Sequence, residues 1–177
     1  MTVAEEGSLD EHEIRRFVAS DYVRLVNAMA LLGGSVQAAE DAVQEALARA
    51  WEASERGHRI ESLPAWVAAV ARNLLRDRLR RFLREVSARR RLGAELSGRA
   101  AIVDAEDRAD VLKALRSLPA RRREVAVFHY YLDMDVAEIA RALRISEGTV
   151  KSSLHRAREA LAAALADDEE VNDVAHR

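Results

Sequence analysis

Residues 135–164 read DVAEIARALRISEGTVKSSLHRAREALAAA, and their spacing decides the fold. Ala137, Ile139, Ala140 and Leu143 share one face of a short helix. Asp135, with Glu138 three residues on, makes a D-x-x-E capping box at its start. Arg144, Ile145 and Ser146 form a tight corner, with Ser146 placed to cap a second helix. That helix turns Val150, Leu154, Ala157 and Leu161 inward. Its other face carries Thr149, Lys151, Ser152, His155, Arg156 and Arg158, short hydroxyls and cations suited to base edges and phosphates. Cap, corner, apolar register and basic face agree on a helix-turn-helix. An ordinary helical hairpin with a solvated charged face is the plainer alternative.

Composition extends the helical reading to the whole chain. Of 177 residues only 5% are aromatic, seven are glycine and two are proline, so alanine makes up much of the apolar fraction. This is the composition of closely packed helices. No apolar run approaches the ~20 residues of a membrane span, and the start, Met1 to Asp10, is acidic rather than signal-like. The absence of cysteine excludes disulfides and thiolate metal sites. The histidines lack metal-ligand spacing, and no cofactor is expected. A soluble, cytoplasmic protein follows.

The net charge of −2 conceals a strong partition. Residues 1–55 hold 4 Lys/Arg against 11 Asp/Glu, whereas residues 56–99 hold 12 against 4. Residues 116–166 are again basic, at +3, and the tail 167–177 carries −4. Two basic segments between acidic ones suggest two places that meet nucleic acid.

The domains expected are a disordered lead-in over 1–12, a helical domain over 13–83, a flexible, partly helical linker over 84–108, a second helical domain over 109–166 and an acidic solvated tail over 167–177. In the first domain one helix is predicted from Glu13 to Leu32, stopping at Gly33-Gly34. A second runs from Val36 to Arg56 behind Ser35, with Val43, Leu47, Ala50 and Trp51 as apolar positions. A third has Pro64 in its first turn, where a missing N–H costs nothing. In the second domain a short helix spans Ala109 to Ser117, and another runs from Arg121 to Leu132. The fold class is all-α, two small helical domains.

Four stretches together resemble the sigma factors of bacterial RNA polymerase, in particular the extracytoplasmic-function (ECF) group that keeps only regions 2 and 4. AEDAVQEALARAW (39–51) is similar to the family's D-x-x-Q-E-x-F-x-x-x-W pattern, with Leu47 at the aromatic position. SLPAWVAAVARNLLRDRLRR (62–81) is similar to its W-L-x-x-I-A-R-N-x-x-x-D-x-x-R pattern. LPARRREVAVFHYY (118–131) and ISEGTVKSSLHRARE (145–159) resemble the lead-in and recognition helix of region 4.

The resemblance implies roles for named residues. Asp41, Gln44, Glu45, Arg49 and Trp51 would bind core RNA polymerase, docking on the coiled coil of its β′ subunit. Asn73, Arg76, Asp77, Arg80 and Arg81 would read and hold the −10 element of promoter DNA. Lys151, Ser152 and Arg156 would contact the −35 element, with Glu147, Gly148 and Thr149 at phosphates and His155 and Arg158 as further contacts. An anti-sigma factor is the expected inhibitory partner. Three departures stand out. Asp133 and Arg144 occupy places where glycine is common, and the 57–63 loop lacks the usual aromatic. The competing readings are a stand-alone dimeric helix-turn-helix regulator and a helical interaction protein. An enzyme fits least, because nothing pairs carboxylates or positions a nucleophile.

Overall fold

The computed structural model describes residues 9–33, 35–91 and 109–175, all helix and connecting turns. The chain divides into two compact units, over 1–102 and 103–177.

The first unit opens earlier than the sequence suggests. Leu9 is buried and its N–H donates to Ser54 Oγ at 2.6 Å, while Asp10 caps α1 (Glu11–Ser20) by accepting from the Glu13 N–H. The helical unit therefore takes in residues of the expected lead-in from Leu9 on; residues 1–8 lie outside the described residues.

The single helix expected over 13–32 is two, α1 and α2 (Tyr22–Gly33), parted at Asp21. There the Ser20 hydroxyl lies 2.8 Å from the Arg16 carbonyl oxygen and 2.6 Å from the Asp21 carboxylate. Short polar side chains that bond to nearby backbone compete with the helix ladder. Apolar periodicity cannot register such a break, because it continues on both sides. The α2 helix ends at Gly33 against α4, where a Cβ would come within 3.2 Å of a Leu75 methyl. Gly34 lies outside the described residues.

The next helix, α3 (Val36–Glu55), is capped by Ser35, whose hydroxyl accepts from Ala38 N–H. It buries Ala39, Ala42, Val43, Ala46 and Ala50 completely. This nearly all-alanine stripe lets α4 (Leu63–Arg91) approach closely with Val67, Ala68 and Ala71. Trp51, expected among the apolar positions, instead stands 38% exposed at the edge of α3. Gly57, at φ 82°, turns the chain between the two helices. The α4 helix continues through the start of the expected linker as far as Arg91, leaving Leu79, Phe82 and Leu83 more than half exposed.

The second unit comprises α5 (Ala109–Ser117), α6 (Ala120–Ala126), α7 (Val136–Leu143) and α8 (Glu147–Ala175). The helix expected over 121–132 changes character halfway, passing from α6 into a π-helical turn over Val127–Tyr131. Val125, Ala126, Val127 and Phe128 are all buried. Four consecutive buried residues mean that this segment is enclosed on every side, and the wider turn is how the backbone fits them. Asp133 follows at φ 53°. The Met134 N–H then reaches back to the Phe128 carbonyl at 3.0 Å.

The expected capping box is formed. Asp135 Oδ1 accepts from the Glu138 N–H at 2.7 Å, and Glu138 Oε2 accepts from the Asp135 N–H at 2.9 Å. Ile139, Ala140 and Leu143 of α7 and Val150 and Leu154 of α8 are buried where the two helices pack, Ala157 of α8 packs instead with Leu118 and Ala126, and Ala137 is only half-buried. The acidic tail, expected to be solvated, continues the α8 backbone to Ala175.

Candidate nucleic-acid and polymerase interfaces

The corner between α7 and α8 is closed by two reverse hydrogen bonds. Ile145 N–H donates to the Ala140 carbonyl at 3.0 Å and Arg144 N–H to the Arg141 carbonyl at 3.3 Å. This is a Schellman motif, whose pivot must be left-handed. Arg144 takes that conformation at φ 53°, ψ 54°. Ser146 then caps α8: its Oγ accepts from the Thr149 N–H at 3.2 Å and lies 2.8 Å from the Thr149 hydroxyl. The N–H groups of Glu147 and Gly148 are left in the first turn as donors for an anion.

Lys151, Ser152, His155, Arg156 and Arg158 are all exposed on α8, with Glu147, Gly148 and Thr149 exposed at its start. Their surroundings differ. Lys151 and Arg156 form no ion pair among the described residues. Ser152 already donates to the Thr149 carbonyl at 3.1 Å, which leaves its oxygen as an acceptor. His155 lies 3.5 Å from Glu159, an acid on the same face that the sequence reading passed over. Arg158 is held by Tyr130 of the π-helical turn, donating from Nε to the phenol oxygen with its guanidinium carbon 5.8 Å from the ring centroid. Tyr130 was also missed; 28 residues separate the partners, and no local pattern announces the contact.

On α4, Asn73, Arg76, Asp77, Arg80 and Arg81 fall at helical spacing along one stripe. Asn73 and Arg76 are half-buried, and Asp77, Arg80 and Arg81 are exposed. Asn73 Oδ1 accepts from Nη1 of buried Arg72 at 2.8 Å. Arg76 Nε is buried without a hydrogen-bond partner. The arginines thus form a graded cationic edge, deep at Arg76 and open at Arg80 and Arg81.

The polar face of α3 presents Asp41, Gln44, Glu45, Arg49 and Trp51, all exposed. It is internally braced. Arg49 and Glu45 pair at 2.8 Å, and Gln44 Nε2 donates to the Tyr22 hydroxyl at 3.3 Å. Arg78 reaches across from α4, donating to the Ala38 carbonyl at 3.2 Å and lying 3.6 Å from Asp41. Arg78 therefore ties the docking face to the arginine helix, a link absent from the motif reading. No group of acids and histidines that could hold a metal occurs among the described residues. Nor, among these, is any helix long and apolar enough to cross a membrane.

Both units match known families. Residues 18–85 match the model for sigma-70 region 2, and residues 108–161 match that for sigma-70 region 4. The ECF RNA polymerase sigma factor SigL of Mycobacterium tuberculosis is 41% identical over 138 residues, covering 76% of this chain and 77% of SigL. SigW of Bacillus subtilis is 30% identical over 151 residues, covering 76% and 79%. Among solved structures, the sigma factor RpoE in complex with the anti-sigma factor NepR, from Bartonella quintana, superposes with a TM-score of 0.73 at 27% identity, covering 88% of this chain and 98% of RpoE. The chain CnrH in complex with the cytosolic domain of CnrY superposes with a TM-score of 0.64 at 27% identity, over 90% and 91%. The chain belongs to the ECF group of RNA polymerase sigma factors, with regions 2 and 4 and the all-helical fold of that group. It is an alternative sigma factor, a transcription initiation factor.

Proposed function

We propose that the three surfaces divide the work of promoter recognition. The braced α3 face of Asp41, Gln44, Glu45, Arg49 and Trp51 docks on core RNA polymerase through the β′ coiled coil. The α4 stripe from Asn73 to Arg81 takes the −10 element, with Asn73 at a base edge, the arginines along the single strand and Asp77 within the stripe. The α8 face reads the −35 element: Lys151 and Arg156 donate to guanine edges, Ser152 accepts from a base, and Thr149 with the N–H groups of Glu147 and Gly148 meets phosphate. His155 and Arg158 border that contact. The protein acts in the cytoplasm without catalysing a reaction of its own, and an anti-sigma factor holds it inactive, a reading supported by the similar RpoE structure, which is a complex with the anti-sigma factor NepR.

The observation that carries this reading is the pair of cations Lys151 and Arg156, without an ion pair among the described residues, on the outer face of a capped second helix. A stand-alone regulator would need a self-complementary apolar face for dimerisation. The α3 surface offers charged and amide groups instead.

Run-off transcription tests the assignment. Core polymerase, the purified chain and a genomic promoter library should yield specific transcripts. Asp41→Ala/Gln44→Ala should abolish them by loss of polymerase binding, and Lys151→Ala/Arg156→Ala by loss of promoter binding. Tight DNA binding without polymerase and no transcripts would instead establish the stand-alone regulator.

A further inference from the structure

Neighbouring helical residues point in different directions and do not normally touch. Arg72 and Asn73 are an exception. Arg72 is only 5% exposed, and its guanidinium bends toward the next residue to place Nη1 2.8 Å from Asn73 Oδ1. A guanidinium has five donors and no acceptor. The amide end that meets it must be the oxygen, since turning Asn73 over would set N–H against N–H. The two Nδ2 hydrogens are then what Asn73 has to offer a ligand. One turn along the same stripe, Arg76 Nε is a second buried donor, and it has no acceptor.

Untethered asparagine prefers adenine, donating to N7 while accepting from N6. The tethered amide cannot do this well. Its oxygen already accepts a charge-assisted bond, and an amino group arriving there would bring a donor beside a cation. We propose that Arg72 is a positioning residue that makes Asn73 a donor-only reader. At one position of the −10 element it then selects a keto base, guanine through O6 or thymine through O4, over the amino bases adenine and cytosine. This rests on the assignment of Asn73 to the −10 strand.

The test uses core polymerase loaded with the full chain and fluorescent fork-junction probes built on a promoter recovered by run-off transcription. Each −10 position is varied through the four bases. At one position guanine and thymine should bind about five- to tenfold tighter than adenine and cytosine. Asn73→Ala should flatten that preference. Asn73→Asp keeps an acceptor for Arg72, so the fold is retained, but replaces the outward donors with an acceptor; the order should reverse toward adenine and cytosine. Arg72→Lys, which keeps a donor, should preserve the keto order, and Arg72→Met should admit adenine. A keto preference that survives Asn73→Asp, or a wild-type preference for adenine at the position that Asn73→Ala flattens, overturns the proposal. An Asn73→Ala profile unchanged at every position removes Asn73 from −10 reading altogether, and the proposal with it.

Discussion

Arg144 holds a left-handed backbone at the pivot of the helix-turn-helix, and Asp133 does the same after the π-helical turn. Such a conformation costs a side-chain-bearing residue about 1–2 kcal/mol, part of which glycine would recover, less the entropy that it loses on folding. Arg144→Gly should therefore stabilise the second unit by about 0.5–1 kcal/mol. Asp133→Gly should gain less, because aspartate tolerates this region better. Thermal melting of the two variants checks both the sign and the order. These positions were legible as departures from a glycine pattern, and the structure assigns the conformation that the pattern requires. Tyr130 and Arg72 were not legible. Each acts through a contact set by where a long side chain bends, which neither periodicity nor spacing records.

Among the elements, those whose ends carry their own chemistry were read best. Ser35, Asp135 and Ser146 each accept from the N–H three residues on, as capping residues should. Asp135→Ala removes the acceptor for Glu138 N–H and should cost about 1 kcal/mol, seen as a lower unfolding midpoint in chemical denaturation. Phe128→Ala, at a fully buried position of the π-helical turn, should cost about 3–5 kcal/mol, enough to unfold the second unit at moderate temperature. Elements were misread where no end signal exists. The break at Asp21 interrupts a continuous apolar stripe, and the π-helical turn hides inside a continuous apolar run. The linker was read as partly helical, but the unbroken continuation of α4 to Arg91 was not, because Phe82 and Leu83 are exposed and no core periodicity accompanies them.

For the molecule as a whole, a net charge of −2 says little about nucleic acid. Its partition along the chain says more, since the basic segments contain α4 and the N-terminal part of α8, and the acidic first 55 residues contain the α3 face. Promoter binding by the assembled polymerase should weaken steeply with salt. Arg80→Ala or Arg81→Ala, each deleting one phosphate partner, should lower the slope of log affinity against log salt by about one, with little change in base preference. Filter binding or anisotropy across a salt series would show it. The division into two helical units and the three polar faces were legible from motif order, because each motif is a local pattern on one helix. What braces those faces, Arg78 across to Asp41 and Tyr130 across to Arg158, belongs to tertiary structure alone. The length of α8 has a practical consequence. From Arg156 to Ala175 the rod rises about 28 Å, at 1.5 Å per residue. The chain has no native thiol. A cysteine introduced near Asn172 would be its sole attachment point for a maleimide dye, set far from the turn proposed to read DNA yet built on the same helix, so that the protein could be watched on a promoter by fluorescence without touching the proposed reading surface.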